Sequence, residues 1–342
     1  MKIDFVIPWV DGSDPAWQEE WRKYKPDTGD DASAARYRDM GLLKYWFRAV
    51  EAYAPWVNRI HFITWGHLPG WLNTDHPKLH IVNHKDYIPA EYLPTFSSHP
   101  IELNIHRIQG LSEQFVYFND DMLLNGPVEP DFFFYKGMPC DFANVDNISS
   151  EGVDAVYSHI QFNESYLISK HYSYIKTFIK HPCKYINAAY TIKANLKNLF
   201  KIENRRYFPG FINHHLPSAY FKQTFMDFWE KDFETLDKVS KTKFRGPFDV
   251  SQSVIRYAQL ASGRFNPVTK ESRGKCFPLW MDPLEIYDAI LNEEIKMICL
   301  NDTSNDIDYD AVSKIILSAY EQKFPQRSSF ERCRQIMIRR RL

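Results

Sequence analysis

The chain has 342 residues, of which 44% are hydrophobic and 25% are charged, and its formal net charge at pH 7 is −1. A chain of this length accommodates one elaborated domain or two closely packed ones, and its balanced charge offers no global electrostatic argument for binding nucleic acid. It has five cysteines without a CxxC pair, no basic-then-apolar leader, and no run that approaches the roughly 18 to 20 apolar residues of a membrane span, so we expect a cytoplasmic protein without a disulfide framework or a zinc site.

The first predicted strand, residues 3–10, leads into an acidic turn, Asp11-Gly12-Ser13-Asp14-Pro15. A turn of this kind after the first strand of an α/β sheet is where the base and ribose of a nucleotide often bind, although Asp, Gly and Pro are also ordinary turn residues. Residues 18–35 are polar and charged with no clear period, which predicts a mobile loop beside the turn.

A helix and two more strands follow. Asp39 is expected to cap a helix that ends before Pro55 and whose apolar face consists of Leu43, Trp46, Phe47, Val50 and Ala54. Residues 59–64 and 79–82 then have the apolar character of buried strands. Because alternating strands and helices are typical of an α/β fold, we predict a mainly parallel, Rossmann-like sheet flanked by helices.

Residues 93–124 are the most informative stretch of the chain. Pro100 suits the first turn of a helix that Gly110 would end, and the apolar stripe of that helix consists of Ile101, Ile105 and Ile108. Glu102 and His106 lie four residues apart and therefore share one face of the helix. Glu102 could instead be the N3 glutamate that caps the helix, and the sequence does not separate the two roles.

A buried strand, residues 115–118, is followed directly by Asn119-Asp120-Asp121. Adjacent carboxylates at the carboxyl end of a strand lie where ligands of α/β sheets bind, and a hard divalent cation needs carboxylate oxygens together with substrate phosphates. The alternative is a polar turn. Residues 296–300 repeat the pattern, because this predicted strand ends in Asn301-Asp302, and two such ends indicate one shared polar crevice.

The middle of the chain departs from this rhythm. Residues 131–144 are aromatic and irregular, and residues 170–206 hold nine Lys or Arg residues and only one acid, Glu203. We expect a mostly helical insertion in this region. Interleaved Tyr and Phe make residues 170–206 a candidate surface for a phosphate-bearing or lipid-linked acceptor, or else a solvated helical face.

A pair of histidines follows the insertion. His214 and His215 lie in the loop 208–217, before a predicted helix that carries Phe221, Phe225 and Phe228. An imidazole near its unperturbed pKa can serve as a general base, although a histidine more often has a structural role.

The last third of the chain adds two basic features. Arg245 lies with Lys243 and Asp249 before another predicted helix, where a basic residue can hold a phosphate. Asp310 is expected to start a closing helix, and the tail at 339–342 contains three arginines. That tail could touch an anionic membrane surface or simply keep the protein soluble.

Together these motifs resemble the Stealth family, which includes bacterial capsular-polysaccharide phosphotransferases and the animal enzyme that adds N-acetylglucosamine-1-phosphate to lysosomal enzyme glycans. The four family blocks resemble residues 3–15, 36–121, 215–249 and 296–302, through runs such as IDFVIPWVDGSDP, APWVNRIHFITWG, LPTFSSHPIE, FVYFNDD and KMICLND. The third block matches more loosely than the others. The fold expected with this resemblance is a glycosyltransferase-A-like form of the predicted sheet.

The resemblance implies four catalytic positions in this sequence, which are Glu102, Asp121, His215 and Arg245. His215 matches the histidine of a His-x-Pro element, whereas His214 has no proline two residues later. The chain departs from the animal enzyme after Arg245, where Gly246-Pro247 alters the loop that would hold the phosphates.

The reaction implied by the resemblance transfers a sugar-1-phosphate from a UDP-sugar to a glycan hydroxyl, which forms a phosphodiester and releases UMP. Arg245, with Mg²⁺ or Mn²⁺ at Asp120 and Asp121, would neutralise charge around the attacked phosphorus, and His215 would take the acceptor proton. Glu102 would position the metal, the sugar or the acceptor, and whether Glu102 or His215 is the base stays open. The substrate-binding residues expected are Trp9, Asp11, Gly12, Asp14, Arg36, Asp39, Asn119, Asn301 and Asp302.

The expected partners are a UDP-sugar donor and a glycan acceptor, which a lipid could carry, with peripheral contact to the inner face of the cell membrane and no nucleic acid. A metal-dependent glycosyltransferase that releases UDP is one alternative, and a non-catalytic polysaccharide-binding protein is another. We expect four parts: a nucleotide-sugar-binding core at 1–130, a basic, aromatic acceptor-side insertion at 131–206, the third and fourth blocks at 207–302, and a C-terminal helix and tail at 303–342.

Overall fold

The computed structural model describes residues 2–25, 37–149, 156–201, 207–302 and 307–332. Its strands are β1 (Ile3–Pro8), β2 (Ile60–Thr64), β3 (Leu79–Asn83), β4 (Gln114–Tyr117), β5 (Met122–Leu124), β6 (Phe134–Tyr135), β7 (Met138–Asp141), β8 (Ser218–Phe221), β9 (Asn266–Pro267), β10 (Lys275–Pro278) and β11 (Met297–Asn301).

The α-helices are α1 (Pro15–Tyr24), α2 (Leu43–Tyr53), α3 (His84–Tyr87), α4 (Ser98–Leu103), α5 (Pro130–Phe133), α6 (Val156–His171), α7 (Tyr174–Lys180), α8 (Pro182–Tyr185), α9 (Ile192–Phe200), α10 (Lys222–Lys231), α11 (Phe233–Ser240), α12 (Ser253–Ala261), α13 (Pro283–Leu291) and α14 (Tyr309–Lys323). No described helix has the length and apolar character needed to cross a membrane.

The central sheet has the order β3-β2-β1-β4-β8. Its first four strands are parallel, and β8 joins the edge antiparallel to β4. Both faces are covered: Phe5 and Ile7 of β1 belong to the core beneath α2 and α14, whereas Val6 belongs to the core that includes α10 and α12. Strands buried on both faces need continuous apolar runs, which is the pattern found in the sequence. The predicted mainly parallel α/β sheet flanked by helices is confirmed.

A second sheet, with the order β10-β11-β5, brings the two predicted polar strand ends together. The β11 strand is parallel to β10 and antiparallel to β5. The backbone N–H of Leu300 donates to the carbonyl of Asp121 at 2.9 Å, so the segment before Asn301 lies beside the carboxylate turn. The third sheet is small, with the order β6-β7-β9.

Residues 18–24 are helical, so the prediction of a mobile loop over 18–35 is wrong for this part. Asp14 caps α1 by accepting a hydrogen bond from the Trp17 N–H at 2.9 Å, and Pro15 occupies the first turn. Trp17 and Trp21, four residues apart, lie on one face and stack at 6.4 Å between ring centroids. This single aromatic stripe was too short to register as a period among charged residues.

The predicted helix from Pro100 to Gly110 is two shorter elements. The α4 helix ends at Leu103, and a 3₁₀ turn covers Ile105–Arg107. The Asn104 side chain between them donates to the carbonyl of Pro100 at 2.8 Å, and a side chain that takes a helical carbonyl competes with the backbone ladder. His106 therefore turns away from Glu102 and lies beside the rings of Phe225 and Trp229.

Three other local predictions change. Asp39 does not cap α2, because its carboxylate accepts from the Gly41 N–H at 2.6 Å and α2 follows Leu42. Phe221 lies in β8, since the edge of the central sheet takes this run as a strand. Asp308, rather than Asp310, caps α14. Residues 156–200 form α6 to α9, as the helical insertion requires, while the four-part division of the chain stays a prediction.

Candidate active site

The turn after β1 opens a cleft of about 640 Å³. We refer to it as the β1–α1 cleft; it is lined by residues 11–13, by one side of α1 and by residues 37–39. Among the predicted substrate-binding residues, this brings together Asp11, Gly12 and Asp39. Arg36, also predicted, lies outside the described residues.

The turn itself is held in one conformation. Asp11 Oδ1 accepts hydrogen bonds from the backbone N–H and the hydroxyl of Ser13, at 2.9 and 2.6 Å, and its own N–H donates to His67 Nε2 at 2.7 Å. A Cβ on Gly12 would lie 2.3 Å from the carbonyl oxygen of Tyr37, so only glycine fits here. Asp14, predicted to bind substrate, has its Oδ1 engaged in capping α1.

Residues 37–39 connect this cleft to the C-terminal part of the chain. Trp9 donates from Nε1 to Asp39 Oδ2 at 3.2 Å and stacks on Phe62. Arg38 forms an ion pair with Asp302 at 2.9 Å, and its guanidinium lies 4.5 Å from the Tyr309 ring centroid. Asp302 was predicted; Arg38 was not singled out, because a lone arginine among polar, irregular neighbours gives no pattern.

Asp120 and Asp121 follow β4 in the turn that Asn119 begins, where the Asn119 carbonyl accepts from Met122 N–H at 3.1 Å. Desolvation and the neighbouring charges of Asp121 and Asp39 raise the pKa of Asp120 to about 7, while the residue as a whole is exposed to solvent. Asp121 Oδ1 is buried and has no hydrogen-bond partner among the described residues. Two adjacent carboxylates offer the hard oxygen ligands that Mg²⁺ or Mn²⁺ prefers.

His215 lies beside this pair. It is one of the few non-glycine residues with a positive φ, at 46°, and its Nε2 is 3.5 Å from Asp121 Oδ2. Desolvation disfavours the imidazolium, but the hydrogen bond and charge of Asp121 outweigh it and raise the pKa of His215 above its ordinary value. His214 is buried against the Phe142 ring, and desolvation holds its pKa well below the ordinary value. His215 is therefore the histidine that faces the carboxylates.

A cysteine completes the surroundings of Asp121. Asp121, His215 and Cys299 place one potential ligand atom each within 4.8 Å of one another, and the Cys299 thiol donates to Asp121 Oδ2 at 3.4 Å. Cys276 is the register partner of Cys299 across β10 and β11. Sulfur and imidazole ligands suit softer cations than Mg²⁺. The Cys299 thiol and the His215 imidazole therefore lie beside the two carboxylates but do not favour the same hard cation. A single cysteine within a strand gave no signal in the sequence.

Glu102 lies on α4 and is buried, at 5% exposure. Its Oε2 accepts from the Gln252 N–H at 3.2 Å, and its charge acts on His215 and on His99. The helix cap that was the alternative role for Glu102 belongs to Ser97, whose hydroxyl accepts from the His99 N–H. The capping interpretation is therefore wrong. We refer to Glu102, Asp120, Asp121 and His215 as the carboxylate–histidine cluster.

Arg245 lies next to the start of α4. It donates to the Ser98 hydroxyl at 2.8 Å, and desolvation together with the Arg245 charge lowers the pKa of His99. His99 Nδ1 is 2.9 Å from Asp249 Oδ2, which also accepts from the Gly246 N–H at 3.0 Å. The buried Asp249 carboxylate therefore holds the two ends of the Gly246–Asp249 turn together.

Helix α6 fixes the far end of that loop. Asn163 donates to the carbonyls of Pro247 and Asp249, and Glu164 accepts from the N–H and hydroxyl of Ser251 at 3.0 and 2.6 Å. Desolvation raises the pKa of Glu164 to about 7. Asn163 and Glu164 lie outside the four blocks that resemble the family, so sequence patterns could not connect them with a loop 87 residues away.

The structure thus brings Glu102, Asp121 and His215 into one cluster and places Arg245 against Ser98, at the start of the helix that carries Glu102. Asn301 ends β11, where its carbonyl accepts from the Leu279 N–H at 3.1 Å. The catalytic roles of these residues are untested and stay predictions.

Comparison with known proteins finds three matching family regions: Stealth protein CR1, conserved region 1, at residues 1–29; conserved region 2 at 36–141; and conserved region 4 at 288–340. The chain is 40% identical over 339 residues to the capsular polysaccharide phosphotransferase WcwK of Streptococcus pneumoniae, covering 96% of this chain and 99% of that protein. It is 37% identical to the receptor polysaccharide phosphotransferase WefC of Streptococcus oralis, with coverage of 96% and 99%.

A third relative, the exopolysaccharide phosphotransferase cps2G of Lactiplantibacillus plantarum, is 37% identical, with 96% of each chain covered. Among solved structures, the galactosyltransferase LgtC in complex with donor and acceptor sugar analogues matches with a TM-score of 0.38 and 11% identity, covering 95% of this chain and 98% of that one.

Proposed function

Because the chain belongs to the Stealth family, we propose that it is a polysaccharide phosphotransferase that moves a hexose- or N-acetylhexosamine-1-phosphate from a UDP-sugar to a glycan hydroxyl. The observation that carries this proposal is the similarity to named phosphotransferases over nearly the full length of both chains. The product would be a phosphodiester in a capsular or other cell-surface polysaccharide, made at the cytoplasmic side of the membrane.

The reaction exchanges one bond to phosphorus for another. The acceptor oxygen forms a bond to the β-phosphorus, the bond from that phosphorus to the oxygen bridging to the α-phosphate breaks, and UMP leaves with that oxygen. The acceptor hydroxyl gives up its proton. Because little covalent chemistry falls to the protein in such transfers, positioning and charge neutralisation dominate the rate.

His215 is the group we assign to the acceptor proton. A base held by a carboxylate has a fixed orientation and higher basicity, and Asp121 Oδ2 lies 3.5 Å from His215 Nε2. Asp121 Oδ1, which lacks a hydrogen-bond partner in the described part of the chain, would bind a cation. The two oxygens of one carboxylate thereby serve two tasks.

The diphosphate charge requires positive partners. Mg²⁺ or Mn²⁺ bound to the oxygens of Asp120 and Asp121 would supply positive charge next to the phosphates. Arg245, which points to Ser98 at the start of α4, would hold a phosphate oxygen from the opposite side. We assign Glu102 to positioning the acceptor hydroxyl, because it is buried, its charge acts on His215, and the Gln252 N–H holds it.

The β1–α1 cleft would take the uridine. Its aromatic and acidic lining offers flat faces for a base and oxygen acceptors for a ribose, and the charge of Asp39 acts on Asp120, so the cleft and the cluster adjoin. Trp9, Asn119, Asn301 and Asp302 would complete the same binding site.

The test is nucleotide release. Purified protein is incubated with a panel of UDP-sugars and Mg²⁺ or Mn²⁺, with and without glycan acceptors, and UMP is resolved from UDP. We expect acceptor-dependent UMP, which falls by about 10²- to 10⁴-fold in His215→Ala and in Asp121→Ala. Release of UDP instead would identify a metal-dependent glycosyltransferase. Glycan binding without product, unchanged in both variants, would identify a binding protein.

A further inference from the structure

Helix α9 is amphipathic, but its apolar face is exposed to solvent and its polar face is buried. Its sequence, IKANLKNLF, places the apolar residues on one face about 100° wide. All four are exposed: Ile192 by 80%, Leu196 by 46%, Leu199 by 49% and Phe200 by 67%. Helices of soluble proteins normally turn such a stripe toward the core.

The inward face of α9 is held by asparagines. Asn198 is fully buried, donates to the carbonyls of Ala143 and Tyr185, and accepts from the Val145 N–H at 3.0 Å. Asn195 accepts from the Asn187 N–H at 3.0 Å and donates back to its carbonyl. These directional bonds fix the rotation of the helix, so the apolar residues cannot turn inward without leaving buried amides unsatisfied.

Lysines predominate around this face, although Lys197 of α9 forms an ion pair with Asp146. The described segment 156–201 contains seven lysines and a single acid, Glu164, which is buried against Ser251. Lys193 is exposed on the flank of the α9 stripe, and Lys176 and Lys180 are exposed on α7. An apolar helix face bordered by lysines is the pattern of helices that lie in the interface of an anionic bilayer.

We propose that α9 is a peripheral membrane-binding element that inserts Ile192, Leu196, Leu199 and Phe200 into the interface of an anionic phospholipid bilayer. The lysines meet the headgroup phosphates while the apolar face enters the acyl boundary. Charge complementarity favours an anionic bilayer as the partner of α9, because an electrically neutral apolar partner would gain nothing from the lysines.

A chain of contacts connects α9 with the carboxylate–histidine cluster. Asn198 of α9 holds Val145, which forms a β-bridge with Phe211, and the loop from Phe211 leads to His215. Binding at α9 would therefore bring the cleft to a membrane-borne acceptor if the proposed function is correct. The binding itself requires no donor, acceptor or turnover.

The experiment is flotation of the purified full chain with vesicles of phosphatidylcholine alone or with phosphatidylglycerol, in low and high salt. We expect binding to the phosphatidylglycerol vesicles, at least tenfold weaker binding to neutral vesicles, and weaker binding in high salt. The double variant L196S/F200S should bind at least tenfold less, and K176Q/K193Q should lose part of the binding. The matched control is L284S, which removes an equally exposed leucine, 62% exposed on α13, and should bind as the unchanged protein does.

Three results would overturn the proposal. The unchanged protein could fail to float with anionic vesicles, or L196S/F200S could float as well as L284S. Light scattering without vesicles could show a dimer that L196S/F200S converts to a monomer, in which case a second copy covers α9. Because flotation does not depend on catalysis, failure here leaves the phosphotransferase proposal standing, and failure to release UMP leaves this one standing.

Discussion

The β1–α1 cleft and the carboxylate–histidine cluster adjoin but are built differently. The cleft is open, and its shape depends on the backbone. Gly12 packs against the Tyr37 carbonyl, and the Asp11 carboxylate holds the turn by accepting a hydrogen bond from the Ser13 N–H. The cluster depends on charge, with Glu102 buried and the pKa of Asp120 raised to about 7 by desolvation and nearby carboxylates. A cleft defined by shape is sensitive to added volume, whereas a cluster defined by charge is sensitive to the loss of one charge at constant volume.

Among the substitutions that separate the cleft from the cluster, the largest effect is expected for Glu102→Gln, which keeps the volume and removes the charge. We expect kcat to fall by about 10²- to 10³-fold, because a positioned carboxylate facing the acceptor is lost. The amide oxygen can still accept from the Gln252 N–H, so Tm should hardly change. The measurement is steady-state release of UMP together with thermal unfolding. A variant with full activity would show that Glu102 has only a structural role.

Gly12→Ala adds one methyl group to the cleft and should raise KM for the donor by about tenfold or more, with a smaller change in kcat. The new Cβ would lie 2.3 Å from the Tyr37 carbonyl oxygen, so either the turn or residues 37–39 must move. The matched control is Gly70→Ala, because a Cβ there meets no atom within 4 Å. Equal KM values for the two variants would contradict a binding role for the cleft.

Cation affinity should depend on pH through Asp120. With a pKa of about 7, its carboxyl is mostly protonated at pH 6 and mostly ionised at pH 8, and a cation must displace the proton. We expect Mg²⁺ or Mn²⁺ to bind about tenfold more weakly at pH 6 than at pH 8, as measured by titration calorimetry. Asp120→Asn should bind weakly at both pH values, and an affinity of the unchanged protein that is independent of pH would exclude Asp120 as a ligand.

The smallest effect on activity is expected for substitutions of Glu164, which should also change stability. Glu164→Ala should lower kcat by about fivefold to tenfold with little change in donor KM, because the Ser251 end of the loop loses its two hydrogen bonds. Glu164→Gln should restore most of that activity, since the amide oxygen can accept both. If Ala and Gln behave alike, α6 does not position the loop.

The pH dependence of thermal stability also distinguishes Glu164→Gln from the unchanged protein. The folded pKa of Glu164, about 7, exceeds its ordinary value, so stability is lost as pH rises from about 4.5 through 7 and the buried carboxyl ionises. Glu164→Gln avoids this ionisation. It should therefore unfold at a higher temperature than the unchanged protein at pH 8 and at a similar temperature near pH 4, as differential scanning calorimetry would measure.

Local patterns in the sequence were sufficient for the parallel strands of the central sheet and for β11 of the second sheet, but not for β8, whose Phe221 was predicted to be helical. The runs that became β1, β2, β4 and β11 are apolar because both their faces are covered, and the polar residues that end them are visible in the sequence for the same reason. The adjacent carboxylates at 120–121 and the His-x-Pro element at 215 were identified at the positions where the cluster forms. A strand end and a turn depend only on neighbouring residues, so the sequence can indicate them.

Only the tertiary structure decided which of these groups meet and which face a helix presents. The contact of Glu102 with Gln252 spans 150 residues, the antiparallel pairing of β5 with β11 places Cys299 beside Asp121, and Glu164 reaches the loop at Ser251 from a segment with no family pattern. Helix α9 is the clearest case, since its period alone would bury the apolar stripe, yet the amide bonds of Asn198 bury the polar one. Periodicity records which residues share a face, but the choice of the face that is buried depends on hydrogen-bond partners distant in the chain.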